Sequence, residues 1–188
     1  RTGWFYHPEE DTDVRTAGEL LDIYLDAVGA NASLLLNIPP DTHGRIAAPD
    51  CASLTELGTK IQQIFASNVT EKAAITADSA IAQHPIIQAV DGMADTYWQA
   101  AYGQESDTIT LNFPKPQKVS CVVLGEHLPT GQRIESGEIW ADGSKACEFT
   151  VVGHKRICRF TPVDVQTLTI KITASRTEPT LRLLEVYQ

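Results

Sequence analysis

Two hydrophobic periods divide this chain of 188 residues. Over the first third, apolar residues recur at helical spacing. Thr16-Ala-Gly-Glu19 reads as a capping box, in which the Thr hydroxyl accepts from the amide three residues on and the Glu side chain reaches back. Leu20, Ile23, Tyr24, Ala27 and Val28 then make one stripe, and Gly29 suits the left-handed position that closes a helix. A second box, Ser53-Leu-Thr-Glu56, predicts a helix that carries Leu57, Ile61, Ile64 and Phe65. Each helix follows a short apolar run, at Trp4-Phe5-Tyr6 and at Leu34-Leu35-Leu36. The second run is continuous, the pattern of a parallel strand buried on both faces. Pro39-Pro40 closes it and Asp41 to Gly44 makes the turn. The expected order is strand, helix, strand, helix.

After Asn68 the period becomes two. Thr108 to Phe113, Val165 to Thr173 and Thr180 to Tyr187 alternate polar and apolar residues, with further runs at 117–124, 134–140, 145–152 and 155–160. Short strands this closely spaced predict an antiparallel β-sandwich. The fold class expected is therefore multi-domain, α/β over 1–67 and all-β over 68–188.

Composition changes this picture little. A chain 43% hydrophobic and 21% charged is an ordinary globular one, and no stretch has the roughly 20 apolar residues that membrane insertion needs. The net charge of -9, with no basic run to offset it, argues against a nucleic-acid partner. Cys51, Cys121, Cys147 and Cys158 lack the spacing of a zinc site; an even count permits disulfides, but three of them lie in alternating apolar runs, where buried thiols are the favoured reading. Asn31-Ala-Ser33 and Asn68-Val-Thr70 match the glycosylation pattern, which is frequent by chance and receives no function. The Leu34 run requires strand neighbours that this chain does not contain, and the chain has neither an initiating Met nor a leader, so it reads as a C-terminal fragment.

Gly3-Trp4-Phe5-Tyr6-His7, together with Leu34 to Pro40, resembles the end of the TIM-like catalytic barrel of family 29 glycoside hydrolases, the α-L-fucosidases. Ala89-Val-Asp-Gly92, Asp95-Thr-Tyr-Trp98, the run Asp107 to Phe113 and the closing Leu184-Glu-Val-Tyr187 resemble a discoidin-like (F5/8 type C) jelly roll, related to family 32 carbohydrate-binding modules. The resemblance implies the last two βα units of a barrel followed by that sandwich. It also implies a retaining exo-hydrolase of fucosylated glycans, working in the periplasm or outside the cell. Such an enzyme uses an aspartate nucleophile and a carboxylic acid/base roughly 5 Å apart, and needs no cofactor for catalysis. The matching pattern places both carboxylates upstream of Trp4, so this chain has no catalytic residue of its own and depends on the remainder of the barrel as partner. Glu9, Glu10, Asp11 and Asp13 read instead as a solvated face before a helix N-terminus.

The resemblance also nominates site residues. Trp4, with Tyr6 and His7, falls at the end of a barrel strand, where substrate-facing groups lie. An indole can cover the methyl face of a 6-deoxy sugar, or it can simply pack between barrel and helix. Asn37 and His43 lie on the same rim and read as turn chemistry. Asp91, Asp95, Thr96 and Glu185 resemble a structural calcium site, the alternative being a metal-free Asp-Gly turn. Tyr102, His127, Gln132, Arg133, His154, Lys155 and Arg156 are loop candidates for glycan binding, against a purely structural role for the sandwich. Two other classes stay open, a carbohydrate-binding protein without catalysis and an interaction or scaffold module.

Overall fold

In the computed structural model, which describes residues 3–188, the first capping box closes as expected. Glu19 N donates to Thr16 Oγ1 at 3.3 Å, and Thr16 N donates to the Glu19 carboxylate at 2.8 Å. The box starts α1 (Ala17–Val28), whose Ala17 and Leu20 are buried against Leu57 of α2 (Ala48–Ile64). α2 begins five residues before the expected Ser53 box. Pro49 explains the difference: in the first turn its missing N–H is no loss and its fixed φ is already helical. Ser53 therefore sits inside the helix, and its hydroxyl donates to Arg15 O at 2.6 Å. Gly29 is not left-handed either, with φ of −75°; the positive φ falls two residues later, at Asn31 (70°). Gly29 is required by close approach, since a Cβ there would collide with Leu25 O and lie 3.0 Å from Ile157 Cβ.

The two expected parallel strands do not form. Residues 3–7 and 33–38 run without a ladder, and an isolated bridge joins Pro40 to Ile46. Leu36 turns toward α1 and α2, while Leu35 is 92% exposed. An apolar run becomes a buried parallel strand only when strands flank it and both faces are covered. Among the described residues the helices cover one face and no strand lies alongside. The two segments instead meet each other, through Asn37 Nδ2 donating to Trp4 O at 2.9 Å.

The rest of the chain is mostly antiparallel sheet. Its strands are β1 (Ala74–Ala77), β2 (Trp98–Gln99), β3 (Asp107–Gly125), β4 (Ile134–Ala141), β5 (Ser144–Phe149), β6 (Arg156–Ser175), β7 (Thr180–Leu181) and β8 (Leu183–Tyr187). The main sheet has the order β1-β3-β6-β4-β5, with β8 added along β3, and β2 pairs with β7. β3 and β6 each take up two of the expected runs. The join shows as a register break between Asn112 and Gln117, where Pro114 and Pro116 cannot donate to the ladder. Before the break, β3 pairs with β1 and with the end of β6; after it, β3 pairs with the start of β6 and with β8. Both stretches contribute to one buried core, Ile109, Leu111 and Phe113 from the first and Val119, Val122 and Leu124 from the second. β1 and β2 were not expected, being too short to show alternation.

The second stretch of β3 is buried on both faces. Its outer residues Cys121 and Val123, with Tyr187, lie under Ile64, Phe65, Ile157 and Leu183, and Phe65 meets the Tyr187 ring edge-on at 5.2 Å. Burial pushes the Tyr187 hydroxyl above its ordinary pKa. Backbone bonds stitch the same seam, with Ile157 N donating to Gly29 O at 3.0 Å and Val69 N to Val186 O at 2.8 Å.

At the end of β3 stands Glu126, a fully buried charged side chain. One carboxylate oxygen accepts from Arg133 N (2.6 Å) and Ile134 N (2.9 Å); the other accepts from Gly153 N (2.6 Å). Burying a carboxylate is costly unless such donors replace water. Glu126→Ala would strand three amides, so we expect a loss of about 3–5 kcal/mol in urea unfolding. Glu135→Ala, which removes an exposed pair with Arg176, should cost less than about 1 kcal/mol in the same assay.

Candidate functional site

Trp4 lines a cleft of about 240 Å³ between the first extended segment, residues 36–39 and the N-terminal half of α2. The indole is 74% exposed and Phe5 beside it 79% exposed. Arg15, Asn37, Asp50 and Ser53 supply polar groups to the same cleft, and Leu20, Leu36 and Leu54 its apolar floor. Tyr6 and His7 do not join Trp4 there. The Tyr6 hydroxyl donates to Asp11 at 3.2 Å, and His7 faces Glu9 at 3.8 Å. Asp11 thus holds the local loop. His43 lies in a turn: Asp41 Oδ1 accepts from Arg45 N and His43 N, and these bonds hold the Asp41 carboxyl below its ordinary range, whereas Asn37 reaches across to Trp4 O.

A second cluster lies among the loops of the sheet. His84, Tyr97 and His127 form a continuous ring stack, with centroid separations of 3.9 and 3.8 Å and planes within 19° of parallel. Burial lowers the His127 pKa, as do the neighbouring His84, Arg133 and Arg182, while Asp95 opposes them. Arg133 donates to Glu178 O at 2.8 Å, and Arg182 to His154 O at 3.3 Å. Tyr102 is exposed on a loop held by Gly103 N, which donates to Glu178 at 2.8 Å. The structure therefore gathers His127 and Arg133 of the expected glycan-binding set, and ties Tyr102 to them through Glu178. Arg156 is turned to Val151 O and Thr150, and Lys155 lies over the Phe65 ring. Gln132 reaches Asn31, whose side chain also accepts from His154 N at 2.6 Å. Asn31, the acceptor position of the first glycosylation pattern, is thus engaged at this seam.

Sequence reasoning missed His84, Tyr97 and Glu178. Aromatic rings thirteen and thirty residues apart carry no periodic signal, so only the fold brings them together. Ser79 was also missed: its carbonyl accepts from the fully buried Trp98 indole, and its hydroxyl bridges Ala101 N and Asp107. Desolvation raises the Asp107 pKa above the usual carboxylate value.

Of the four residues named for calcium, Asp91 meets Thr96. Both Asp91 oxygens accept from Thr96 Oγ1, at 2.9 and 2.7 Å, and one also takes Met93 N at 2.8 Å. Glu185 lies in β8 beside Tyr187, where its side chain contributes to that hydroxyl's raised pKa. Among the described residues no group of three or more His, Cys, Asp or Glu side chains could hold a metal ion. As arranged, the loop is a hydrogen-bonded Asp-Gly turn.

Residues 1–63 match the family model for alpha-L-fucosidase. Over its whole length the chain is 30% identical to alpha-L-fucosidase 1 of Arabidopsis thaliana, covering 39% of that protein. A crystal structure of a putative alpha-L-fucosidase from Bacteroides thetaiotaomicron superposes on the entire chain with a TM-score of 0.93 at 29% identity, covering 43% of the solved chain. The GH29 fucosidase E1_10125 of Ruminococcus gnavus, solved in complex with fucose, does so at 0.89 and 28% identity, covering 39%. The chain is thus homologous to alpha-L-fucosidases and spans about two fifths of the length of these relatives.

Two outcomes test the site geometry. Calcium or a chelator should leave the melting temperature unchanged; a fall with chelator would mean that the Asp91 turn reorganises around an ion. Glu178 is held at a pKa of about 2, below the ordinary 4.5, first by the Gly103 amide and then by Thr177. A depressed carboxylate stabilises above its unfolded pKa and loses that contribution as pH falls through the folded one. The Gly103 amide shift should therefore hold constant above pH 4.5 and titrate with a midpoint near 2. Glu178→Gln should abolish that titration.

Proposed function

We propose that this chain is the C-terminal part of a retaining exo-α-L-fucosidase that removes terminal α-L-fucose from glycans in the periplasm or outside the cell. Residues 1–67 complete its catalytic barrel, and 68–188 form a discoidin-like jelly roll. The observation that carries this reading is homology along the whole chain, anchored by the match over residues 1–63. The exposed Trp4, Phe5 and Leu35 support it, being apolar residues whose pattern calls for the remaining barrel as cover.

In this reading the nucleophile and the acid/base come from the rest of the barrel, and the chain alone is inactive. Its own residues supply binding. Trp4 presents an apolar face for the methyl-bearing side of a 6-deoxy sugar. Asn37 ties the Trp4 backbone to the rim of the cleft. The sheet buttresses this arrangement through the buried seam of Phe65 and Tyr187. A second role, glycan binding by the loops, is favoured by the His84-Tyr97-His127 stack and by Arg133, which shares Glu178 with the loop of the exposed Tyr102.

The decisive experiment is hydrolysis of an aryl α-L-fucoside by this chain and by a polypeptide extended upstream through a full barrel. We expect turnover only in the extended form, and there Trp4→Ala should lower kcat/KM about tenfold or more with the melting temperature preserved. Unchanged kinetics would remove Trp4 from the pocket. Activity in neither form, together with fucoside binding by the sheet loops, would favour a carbohydrate-binding module.

A further inference from the structure

Two guanidinium groups are anchored at the end of β3, where Glu126 ties the loops. Arg133 is held through its backbone, its amide donating to the Glu126 carboxylate at 2.6 Å; Arg182 is held through the residue before, its amide donating to Gly125 O at 2.9 Å. The side chains stay close to the same point. Arg133 donates from Nη1 to Glu178 O at 2.8 Å, and from Nε and Nη2 to Thr130 O at 3.4 Å. Arg182 donates from Nη2 to His154 O at 3.3 Å, and the same nitrogen lies 3.7 Å from where a Gly125 Cβ would stand. His127 follows Glu126 directly, and its carbonyl accepts from both the amide and the hydroxyl of Thr130, at 3.2 and 2.9 Å.

Each guanidinium carries five N–H donors. Arg133 uses three of them and Arg182 one, all on carbonyl oxygens. Among the described residues neither forms an ion pair, whereas Arg45 and Arg176 each find a carboxylate. Carboxylates are not scarce in a chain with 24 acidic and 15 basic side chains. Those tied to these loops are engaged elsewhere: Glu126 by its three amides, and Glu178 by Gly103 N and the Thr177 hydroxyl. Both arginines are half-buried, where a charge interacts more strongly than in open water. The field at this point is positive: beyond the effect of burial, His84, Arg133 and Arg182 all disfavour protonation of His127, with Asp95 opposing them.

We propose that Arg133 and Arg182 form an anion subsite on the loop surface, which takes a sulfate ester or carboxylate carried by a glycan. The inference rests on the glycan-binding role proposed for these loops and narrows it to acidic glycans. A guanidinium presents paired N–H groups to two oxygens of such an anion, a match that a neutral hydroxyl does not return. The sugar that bears the anion has a ring to lie on in Tyr102, which is 76% exposed and whose loop is tied to Arg133 through Glu178. A nucleic-acid backbone fits poorly, because two guanidiniums do not match its run of phosphates and the net charge of -9 repels it.

The test is calorimetry at low ionic strength with three probes: a chondroitin sulfate tetrasaccharide, its desulfated form, which keeps the carboxylates, and neutral tetra-N-acetylchitotetraose. We expect at least one acidic probe to bind about tenfold tighter than the neutral one, with added salt removing the difference, and the comparison of the two acidic probes identifies the anion. Arg133→Gln and Arg182→Gln should each abolish most of that preference, Arg176→Gln should leave it intact, and Tyr102→Ala should weaken acidic and neutral probes alike. Equal affinity for acidic and neutral probes, or an acidic preference that survives both arginine substitutions, would overturn the subsite and leave the glycan-binding role of the loops standing. Binding of none of the three would remove both. A single-stranded oligonucleotide that binds as tightly as the acidic probes would overturn the assignment to glycans. Arg182→Gln alone decides if Arg133→Gln fails to fold.

Discussion

A single buried carboxylate organises the loops on which the rest of the molecule is hung. Glu126 gathers the amides of Arg133, Ile134 and Gly153, so it fixes at one point the entry to β4 and the turn between β5 and β6. That turn is also where the helices attach, since the residue after Gly153 donates its amide to Asn31 and Arg156 bridges to Ala30. Gly153 has φ of +58° and lies against the Asn31 side chain, leaving no space for a Cβ. Position 153 thus needs glycine twice over, for its left-handed backbone and for close approach. A carboxylate with three amide donors has strong directional preference, which apolar packing lacks. The loops therefore hold one arrangement where a hydrophobic contact would tolerate several.

From this point outward the helical part is held both by its own small core and by a seam on the sheet. Its own buried residues are Ala17, Leu20 and Leu57, a thin cluster for two helices. The seam beneath it is of the same size: Cys121, Val123 and Tyr187 lie under Ile64, Phe65, Ile157 and Leu183. The end of α2 is thereby pinned to β3 and β8, and the close contact at Gly29 pins the end of α1. Segments 3–7 and 33–38 hang from the opposite ends of the same helices. Their placement, including that of Trp4, is inherited from a contact on the far side.

Much of this was legible in the residues. The Thr16 box formed because capping is local and needs no tertiary help. The Ser53 box, identical in pattern, did not cap, because Pro49 upstream supplied a better start and converted Ser53 into a tie to Arg15. Alternation located the long strands but split β3 and β6 at their prolines, since period two reports which face is buried and not whether a strand continues past a bend. The Leu34 run shows the limit in another way. Its composition asks for burial on two faces, and the partner surface is not among the described residues. Glu126 left only a faint trace, a charged residue closing the apolar run Val122 to Gly125. The ring stack left none, because its members come from three separate loops.

The distribution of exposed apolar surface then bears on what each part does. In the sheet the large exposed side chains Ile87, Met93 and Tyr102 are scattered singly on loops, which any soluble surface tolerates. Around the helices Trp4, Phe5 and Leu35 are all exposed by more than 70%, on two segments joined by the Asn37 bond. Concentration of that kind costs free energy in water and persists where something else covers it. The two ends of the molecule accordingly differ: the sheet leaves large apolar side chains exposed only singly, and the helical end leaves three of them together. The cleft beside Trp4 opens on that end, between the first extended segment, residues 36–39 and α2. Trp4 is thus at once an apolar wall of the cleft and one of the groups left uncovered.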